Sequence, residues 1–332
     1  MKALSFADLV ESPTAFRRKA GSVMVEAFFR GLSGAGRLHP RSRPEAHGLE
    51  LLTDIPYLPT GEKHHLLDVY RPKQRSGKLP VCLYVHGGGF RILSKETHWL
   101  MGLMFARRDM VVFSINYRLA PKHPFPAAHE DAFAALRWVL DNAEQYGGDT
   151  SRLVLAGESA GGNIVSSMAI ALSAERPEPW AQSLYATGAR PLAVLPACGI
   201  FEVSNPERFA DLRMPKLVRD RLTEVSRGYL PDDIPAERRT LADPLTWYES
   251  DAATTRDLPP FFLPVGTGDF LYKDTERMTK ALERRGIPVE AKYYDKEIHA
   301  FHALYWRKAA KACWRDHYAF LDRYVPRDSS AA

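Results

Sequence analysis

The fold is decided by the stretch LVLAGESAGGNIVSS, residues 153–167. A short apolar run with strand character enters a Gly-Glu-Ser-Ala-Gly turn, and a pattern with helical spacing follows. Glycines two positions before and two after Ser159 remove the Cβ atoms that a sharp strand-to-helix turn would bring into contact. Ser159 would then project at a helix N-terminus, where backbone N–H groups favour negative charge. The stretch predicts either a nucleophile elbow with Ser159 as nucleophile or an ordinary turn with a serine N-cap.

The composition is that of an ordinary globular protein. Of 332 residues, 45% are hydrophobic and 26% are charged, which allows a large core in one large α/β domain or two smaller ones. Forty-five Lys and Arg residues against 40 Asp and Glu residues give a net charge of +5. The basic residues are scattered, and their longest run is only Arg17, Arg18 and Lys19. We therefore expect no nucleic-acid partner.

Cysteine usage and the N-terminal sequence bear on the compartment. The three cysteines, Cys82, Cys198 and Cys313, lack metal-ligand spacing, so we expect buried thiols in a reducing compartment, and we expect no metal and no cofactor. The first residues, MKALSFADLVES, carry two acidic side chains where a signal peptide would need an apolar stretch. No run of 18 apolar residues occurs. These features predict a cytoplasmic protein without integral membrane association.

Short apolar runs alternate with helical patterns along the chain. Strands are predicted over 52–57, 65–71, 81–86, 111–116, 152–156, 191–197, 261–266 and 290–294, and helices over 96–107, 127–146, 160–175, 274–285 and 303–323. Near-continuous apolar strands separated by helices indicate an α/β fold with a mostly parallel sheet covered on both faces. The first two strands are joined by the spacer PTGEK, residues 59–63, so one edge of the sheet is expected to be antiparallel.

Two helical stretches interrupt this alternation. Residues 1–45 carry apolar side chains at helical spacing, and residues 203–240 form a charged, helical insertion; the apolar positions of the first stretch are Phe16, Met24, Val25, Phe28, Phe29 and Leu32. We interpret both as a lid over the carboxyl edge of the sheet, where sites of open α/β sheets lie. Peripheral helices and a partner-binding surface are the alternatives. The resulting division is a cap of residues 1–48 and 201–240 and a catalytic core of 49–200 and 241–332.

The stretch YVHGGGFRI, residues 84–92, follows the third predicted strand. Successive glycines leave the backbone N–H groups accessible to a substrate oxygen, as stabilisation of a tetrahedral oxyanion requires. The N–H groups of Gly87 and Gly88, with that of Ala160, would supply three donors. A phosphate-binding loop would need a Lys-Ser/Thr pair after the glycines, which is missing. His86 at the strand end is interpreted as a structural anchor of the loop.

A serine nucleophile of this kind needs a base and an acid further along the chain, with the acid before the histidine. His299 follows the last predicted strand and is the expected base, while His302 nearby stays an alternative and His317 lies in an apolar helix pattern. Asp269 follows the strand FFLPVG and is the expected acid, because it would hold His299 in the correct tautomer. Asp274 falls inside the next helix, where we expect it to face solvent or cap the helix.

The chain resembles the hormone-sensitive-lipase-like family of α/β-hydrolases, the bacterial family IV carboxylesterases, from about residue 50 to 325. The motifs that carry the resemblance are HGGGF at 86–90, YRLAPKHPFPAAHED at 117–131, GESAGGN at 157–163, DPL at 243–245, LPPFFLPVGTGDFL at 258–271 and HAF at 299–301. The resemblance implies an eight-stranded sheet with a helical cap and hydrolysis of short- to medium-chain carboxylic esters without a cofactor. It also implies the triad Ser159, Asp269 and His299 and a possible homodimer formed through a sheet edge.

Some residues depart from the family pattern without removing a catalytic group, among them Asn116 and Lys122, which stand where acidic residues are more common. Phe270 stands where the family usually has proline, and Ala300 stands where it usually has glycine. Glu158, beside the nucleophile, is within the family's range, and we expect it to bond the backbone or the helix N-terminus.

The sequence thus predicts a serine esterase with a small-molecule ester substrate and an acyl-enzyme intermediate. An amidase or deacetylase, a peptidase and a long-chain lipase are alternatives on the same fold. A non-catalytic ligand receptor would typically lose a member of the triad. A scaffold that binds a protein through the 203–240 surface would be compatible with esterase activity.

Overall fold

In the computed structural model, which describes residues 26–27, 30–210, 214, 216–231, 234–235 and 239–326, eight strands form one sheet. Their order is β1-β2-β4-β3-β5-β6-β7-β8. The strands are β1 (Leu49–Pro56), β2 (Leu66–Pro72), β3 (Leu79–Val85), β4 (Val111–Ile115), β5 (Gly148–Glu158), β6 (Ala193–Ala197), β7 (Phe261–Gly266) and β8 (Val289–Tyr294). Strand β2 runs antiparallel to β1 and β4, and the remaining pairs are parallel. The predicted antiparallel edge is confirmed.

Helices cover both faces of the sheet. We number the α-helices of the described region from residue 99 onward as α1 (Trp99–Ala106), α2 (Ala127–Asn142), α3 (Ala160–Ser173), α4 (Pro179–Tyr185), α5 (Lys216–Tyr229), α6 (Pro244–Glu249), α7 (Tyr272–Arg284) and α8 (Lys308–Tyr324). Neighbouring residues of β5 enter different cores: Leu155 packs in the core that α2, α3 and α7 share, and Val154 packs in the core of α1 and α8. Burial on both faces explains why these strands are apolar without alternation.

All eight predicted strands and the five predicted helices are present, with shifted ends. The helix predicted over 303–323 begins only at Lys308, because Phe301–Ala303 forms a separate 3₁₀ turn. The helix predicted over 127–146 ends at Asn142 and continues as a 3₁₀ turn to Gly147, which has a left-handed φ of 87°. The short helices α4 and α6, each starting with proline, were not predicted.

The cap insertion contains α5, preceded by a 3₁₀ turn over Pro206–Phe209. Of the N-terminal residues assigned to the cap, 30–37 are helical, and the carbonyl of Ser33 accepts a hydrogen bond from the Trp99 indole (3.3 Å). Most of the apolar positions singled out there, namely Phe16, Met24, Val25, Phe28 and Phe29, lie outside the described residues. The boundaries of the cap stay a prediction.

Within the described residues, no helix has both the length and the apolar character needed to cross a bilayer.

Candidate active site

Ser159 occupies a sharp turn between β5 and α3. Its backbone has φ 52° and ψ −113°, and its side chain makes no capping hydrogen bond to the helix. A Cβ on Gly157 would lie 2.6 Å from the carbonyl carbon of Gly161, and a Cβ on Gly161 would lie 2.0 Å from the Val85 oxygen. The two glycines are therefore required for the close approach of β3, β5 and α3. The turn has the geometry of a nucleophile elbow and not that of a serine N-cap.

Asp269 and His299 meet at the ends of neighbouring strands. Asp269 follows β7 and His299 follows β8, and Nδ1 of His299 lies 3.1 and 2.9 Å from the two carboxylate oxygens. Burial lowers the pKa of His299, but the charge and hydrogen bond of Asp269, together with the neighbouring Cys198, outweigh it and raise the pKa well above the ordinary value. The amide of Leu271 donates to Oδ1 of Asp269 (2.8 Å) and fixes the carboxylate. This bonding keeps Nε2 of His299 available to receive a proton.

Ser159, Asp269 and His299 line one cavity of about 720 Å³. Apart from Glu158, Asp269 and His299, the side chains on its described wall are uncharged. Apolar side chains come from the cap and from the core: Met214, Val218, Leu222 and Val225 from the former, and Ile92, Leu93, Ile200, Phe270, Leu271 and Ile298 from the latter. The cavity therefore places a hydroxyl and an imidazole beside a pocket suited to an apolar group.

The glycine loop presents different amides from those expected. Gly88 and Gly89 line the cavity, whereas the Gly87 nitrogen points at Nε2 of His98, 3.4 Å away. Within the described part of the chain, the N–H groups of Gly88, Gly89 and Ala160 have no protein acceptor. Gly87 thus does not fit the role that the sequence suggested for it. The loop turns at Gly88 (φ 114°) and Gly89 (φ 59°), which are both in the left-handed region. Because the three glycines are identical, the sequence does not indicate which of their N–H groups face the cavity.

The other candidate histidines have partners of their own. His86 is buried, bonds the Gly87 carbonyl through Nδ1 (2.7 Å) and stacks on Tyr117, in agreement with an anchoring role. His317 bonds the Cys313 carbonyl within α8 (2.8 Å). Burial lowers the pKa of both imidazoles to about 3. Nε2 of His302 lies 2.8 Å from Glu158, so His302 does not compete with His299 for Asp269.

Two acidic side chains are placed differently from the expectation. Asp274 does not face solvent or cap its helix: it is buried, pairs with Arg208 of the cap insertion (2.7 Å) and accepts the Phe201 amide (3.1 Å). The carboxylate of Glu158 does not bond the backbone but lies between two imidazoles, His98 at 2.9 Å and His302 at 2.8 Å. The sequence did contain a signal for the partners of Glu158. An acidic residue at the end of an apolar strand is expected to be buried, and a buried charge needs a partner.

Contacts with the glycine loop hold α5 over the cavity. Arg91 pairs with Glu224 of α5 (2.7 Å), and Phe90 stacks on Tyr229 with ring centroids 3.8 Å apart. The Tyr229 hydroxyl lies 2.7 Å from Nδ1 of His129. These contacts favour the interpretation of the 203–240 insertion as a lid, because its apolar side chains form one wall of the cavity.

The donor atoms of Cys198, Asp269 and His299 lie within 4.8 Å of one another, and no other group of three or more metal-ligand residues occurs among the described residues. Asp269 and His299 already bond each other, so we interpret the group as a catalytic dyad beside a thiol. Cys82, Cys198 and Cys313 are all buried and unpaired, as expected.

Comparisons with known proteins agree with this geometry. Residues 82–303 match the family described as alpha/beta hydrolase fold. The chain is 32% identical to the carboxylesterase NlhH of Mycobacterium tuberculosis over 318 residues, which cover 91% of this chain and 90% of that one. It is 31% identical to the esterase LipI of the same organism, covering 78% and 76%. The crystal structure of the esterase LipW from Mycobacterium marinum has a TM-score of 0.76 at 22% identity, covering 92% and 90%. The protein belongs to the α/β-hydrolase family, in its hormone-sensitive-lipase-like branch.

Proposed function

We propose that the protein is a serine carboxylesterase that hydrolyses short- to medium-chain carboxylic esters. The observation that carries this proposal is the bond between Asp269 and Nδ1 of His299. This pair lines the same cavity as Ser159, whose backbone has a positive φ at the turn. The relatives named carboxylesterase NlhH and esterase LipI support ester hydrolysis as the reaction class.

In the proposed mechanism, Oγ of Ser159 attacks the ester carbonyl carbon while His299 accepts the hydroxyl proton. The N–H groups of Gly88, Gly89 and Ala160 stabilise the resulting oxyanion, and each such donor accounts for about 10²- to 10³-fold in rate. His299 then donates its proton to the leaving alcohol as the carbon–oxygen bond breaks. Water, deprotonated by His299, attacks the acyl-enzyme and releases the carboxylic acid.

The cavity wall supports an acyl group of limited length. A volume of about 720 Å³ enclosed by aliphatic side chains fits a neutral, apolar acyl chain. Helix α5 lines one side of this cavity, which disfavours a polypeptide or an emulsified lipid surface as substrate. Hydrolysis of an amide, including an acetamide, is the second candidate activity, because the same triad can attack an amide carbonyl.

We also infer a cytoplasmic location, for which three buried, unpaired cysteines are the support. A homodimer formed through a sheet edge stays a prediction, as does the lack of a nucleic-acid partner.

The test compares wild type, Ser159→Ala and Ser166→Ala on p-nitrophenyl esters from acetate to laurate and on matched anilides. Ser166 is a suitable control because its hydroxyl bonds the Gly162 carbonyl within α3 (2.8 Å). We expect Ser159→Ala to lower kcat by about 10⁴- to 10⁶-fold and Ser166→Ala to leave it within about threefold. Full turnover by Ser159→Ala would remove Ser159 from the mechanism. Faster turnover of anilides than of esters would favour the amidase alternative.

A further inference from the structure

Arg91 lies at the end of the glycine loop and closes its turn. The amide of Arg91 donates to the Gly88 carbonyl (3.1 Å), and the amide of Ile92 donates to the same oxygen (3.2 Å). Gly88 has a left-handed φ of 114°, and a Cβ there would lie 2.0 Å from the Ile92 oxygen. The backbone at Arg91 therefore helps to orient the amides of Gly88 and Gly89, which the proposed mechanism uses as oxyanion donors.

The side chain of Arg91 joins this turn to the cap. Nη2 lies 2.7 Å from Oε1 of Glu224 in α5, and Nη1 donates to the Glu224 carbonyl (3.2 Å). The two side chains are only 13% and 15% exposed, so water and salt weaken this pair less than a fully exposed one. One planar guanidinium thus holds both the side chain and the backbone of the same cap residue.

Gly228, four residues after Glu224, leaves room for this contact. A Cβ at position 228 would lie 1.6 Å from Nη1 of Arg91. A glycine within a helix disfavours the helical state, and Gly228 does not have the positive φ that would call for glycine. The approach of Arg91 therefore explains the glycine at this position, whereas the backbone of α5 does not.

The same stretch of α5 lines the acyl pocket. Leu222 and Val225, which flank Glu224 in the sequence, both lie on the wall of the cavity. A Cβ on Gly89 would lie 2.6 Å from Cγ2 of Val225, so the glycine loop and the helix are in direct contact there. An acyl chain packed on these aliphatic side chains and the guanidinium of Arg91 would therefore act on the same part of one helix.

The aromatic contact between the loop and α5 ends at a point that the core already fixes. Phe90 stacks on Tyr229, the last residue of α5. The Tyr229 carbonyl accepts the amide of Phe125 (2.7 Å), and its hydroxyl lies 2.7 Å from Nδ1 of His129. A shift of the cavity-facing part of α5 therefore reaches the glycine loop through Arg91 more directly than through Phe90.

We propose that Arg91 is a positioning residue that couples the acyl pocket to the glycine loop. An acyl chain that packs on α5 holds the helix in place, and Glu224 transmits this restraint through Arg91 to the Gly88 turn. The proposal rests on the esterase activity proposed above. Misplacement of a reacting group by about 1 Å can cost about 10²-fold in rate, so a firmly placed oxyanion donor raises kcat. An acetyl group offers α5 little apolar contact and should gain little from the coupling.

The first experiment measures kcat on p-nitrophenyl acetate and p-nitrophenyl hexanoate for wild type, Arg91→Met and Arg91→Lys. Methionine replaces the apolar stem of arginine but cannot donate to Glu224. We expect the ratio of kcat on hexanoate to kcat on acetate to fall by about 10- to 30-fold in Arg91→Met, with kcat on acetate within about threefold of wild type. Arg91→Lys keeps the charge without the planar fork and should recover part of the ratio.

Arg71→Met is the matched control. Nε of Arg71 lies 2.7 Å from Glu50, and Nη1 donates to the Tyr146 carbonyl (3.1 Å). This ion pair joins β1 and β2 and does not line the cavity. We expect the kcat ratio of Arg71→Met to stay within about twofold of wild type. An equal fall of the ratio in both variants would mean that loss of any such ion pair has this effect, and that result would overturn the role of Arg91.

Glu224→Gln keeps the test decisive if Arg91→Met does not fold, because it changes only the cap side of the pair. We expect Glu224→Gln to lower the kcat ratio by at least about fivefold. If the two residues act through each other, Arg91→Met combined with Glu224→Gln should lose no more than Arg91→Met alone. Additive losses would overturn the coupling, as would a ratio within about twofold of wild type in either single variant.

The wild-type assay separates this proposal from the proposed function. If wild type hydrolyses both esters and takes a fluorophosphonate label on Ser159 while the variants keep its kcat ratio, only the coupling fails. A wild type that turns over acetate as fast as hexanoate would also overturn the coupling and leave the esterase activity in place. If wild type hydrolyses neither ester and takes no label, the esterase proposal itself fails.

Discussion

The carboxyl edge of the sheet and the cap helix α5 both line the cavity, but they contribute different chemistry. The edge supplies the polar groups, and these follow strands paired in a continuous ladder from β3 to β8. The described side chains that α5 contributes to the wall are apolar, and its link to the glycine loop includes side-chain contacts such as Arg91 with Glu224.

This difference assigns reactivity to the sheet edge and selectivity to the cap. Atoms that exchange protons need fixed distances, which a buried backbone ladder maintains. An acyl pocket needs only a complementary apolar surface, which side-chain changes on one helix can alter. Changes at the edge should therefore lower kcat, and changes in α5 should change which ester is preferred.

Asp269→Asn should give the largest loss at the edge. The amide cannot hold His299 in the tautomer that accepts the serine proton, so we expect kcat to fall by about 10⁴-fold. Steady-state hydrolysis of p-nitrophenyl butyrate measures this loss. As a control, Asp274→Asn removes a buried carboxylate from the first turn of α7, the helix that follows Asp269; this carboxylate pairs with Arg208 and not with His299. Losses of equal size in the two variants would contradict the assignment of Asp269.

The pH dependence tests the same pair. Asp269 raises the pKa of His299 above 6.5, and only neutral His299 can act as the base, so activity is lost as the pH falls through this raised pKa. We expect kcat/KM to fall about tenfold per pH unit on the acidic side, with its midpoint above pH 6.5. In Asp269→Asn, burial remains and the charge of Asp269 is lost, so the pKa of His299 falls and the midpoint should move to lower pH. An unchanged midpoint in that variant would assign the titration to another group.

Leu222→Ala tests the cap side of the comparison. Leu222 and Leu230 are each 6% exposed, but only Leu222 lines the cavity. Each buried methylene contributes about 0.8 kcal/mol, so space left by Leu222 should favour acyl chains one or two carbons longer by a few-fold in kcat/KM. A chain-length series measures the shift, with Leu230→Ala as the control that leaves the optimum unchanged. A loss of kcat on every ester, with no change in the preferred acyl chain length, would mean that α5 contributes to reactivity.

Ala300→Gly should have the smallest effect. Ala300 has a left-handed φ of 56° beside His299, a conformation that favours glycine. We expect the change to raise the free energy of unfolding by about 0.5–1 kcal/mol, measured by urea denaturation, with kcat within about threefold. Ala303→Gly, in the adjacent 3₁₀ turn without a positive φ, should instead lower stability.

The sequence was most informative where local backbone rules determine the geometry. Glycines at 157 and 161 predict the elbow because nothing larger fits, and the strand ends predict Ser159, Asp269 and His299 in family order. That these three act together in catalysis remains a proposal. The antiparallel pairing of the first two strands was foreseen from their short spacer, and all eight strands were foreseen from their apolar runs; the second antiparallel pair, β2 with β4, was not predicted.

The sequence was less informative where distant segments meet. Which glycine amides face the cavity depends on loop torsions that identical residues do not encode. The partners of Glu158 come from residues 60 positions before and 144 positions after it, at a point where three loops converge. Asp274 was misplaced for the same reason, because its partner Arg208 lies in the cap insertion. Pairing across such separations depends on the assembled tertiary structure.

The most direct test of the central claim is to locate a covalent label. Wild type and Ser159→Ala would be treated with an alkyl fluorophosphonate, and the adduct mapped by intact mass and peptide sequencing. A serine nucleophile activated by His299 predicts one phosphonyl group per chain, on Ser159, with parallel loss of esterase activity and no label on Ser159→Ala. Ester hydrolysis that survives labelling, or an inactivating label on any other residue, would contradict the account.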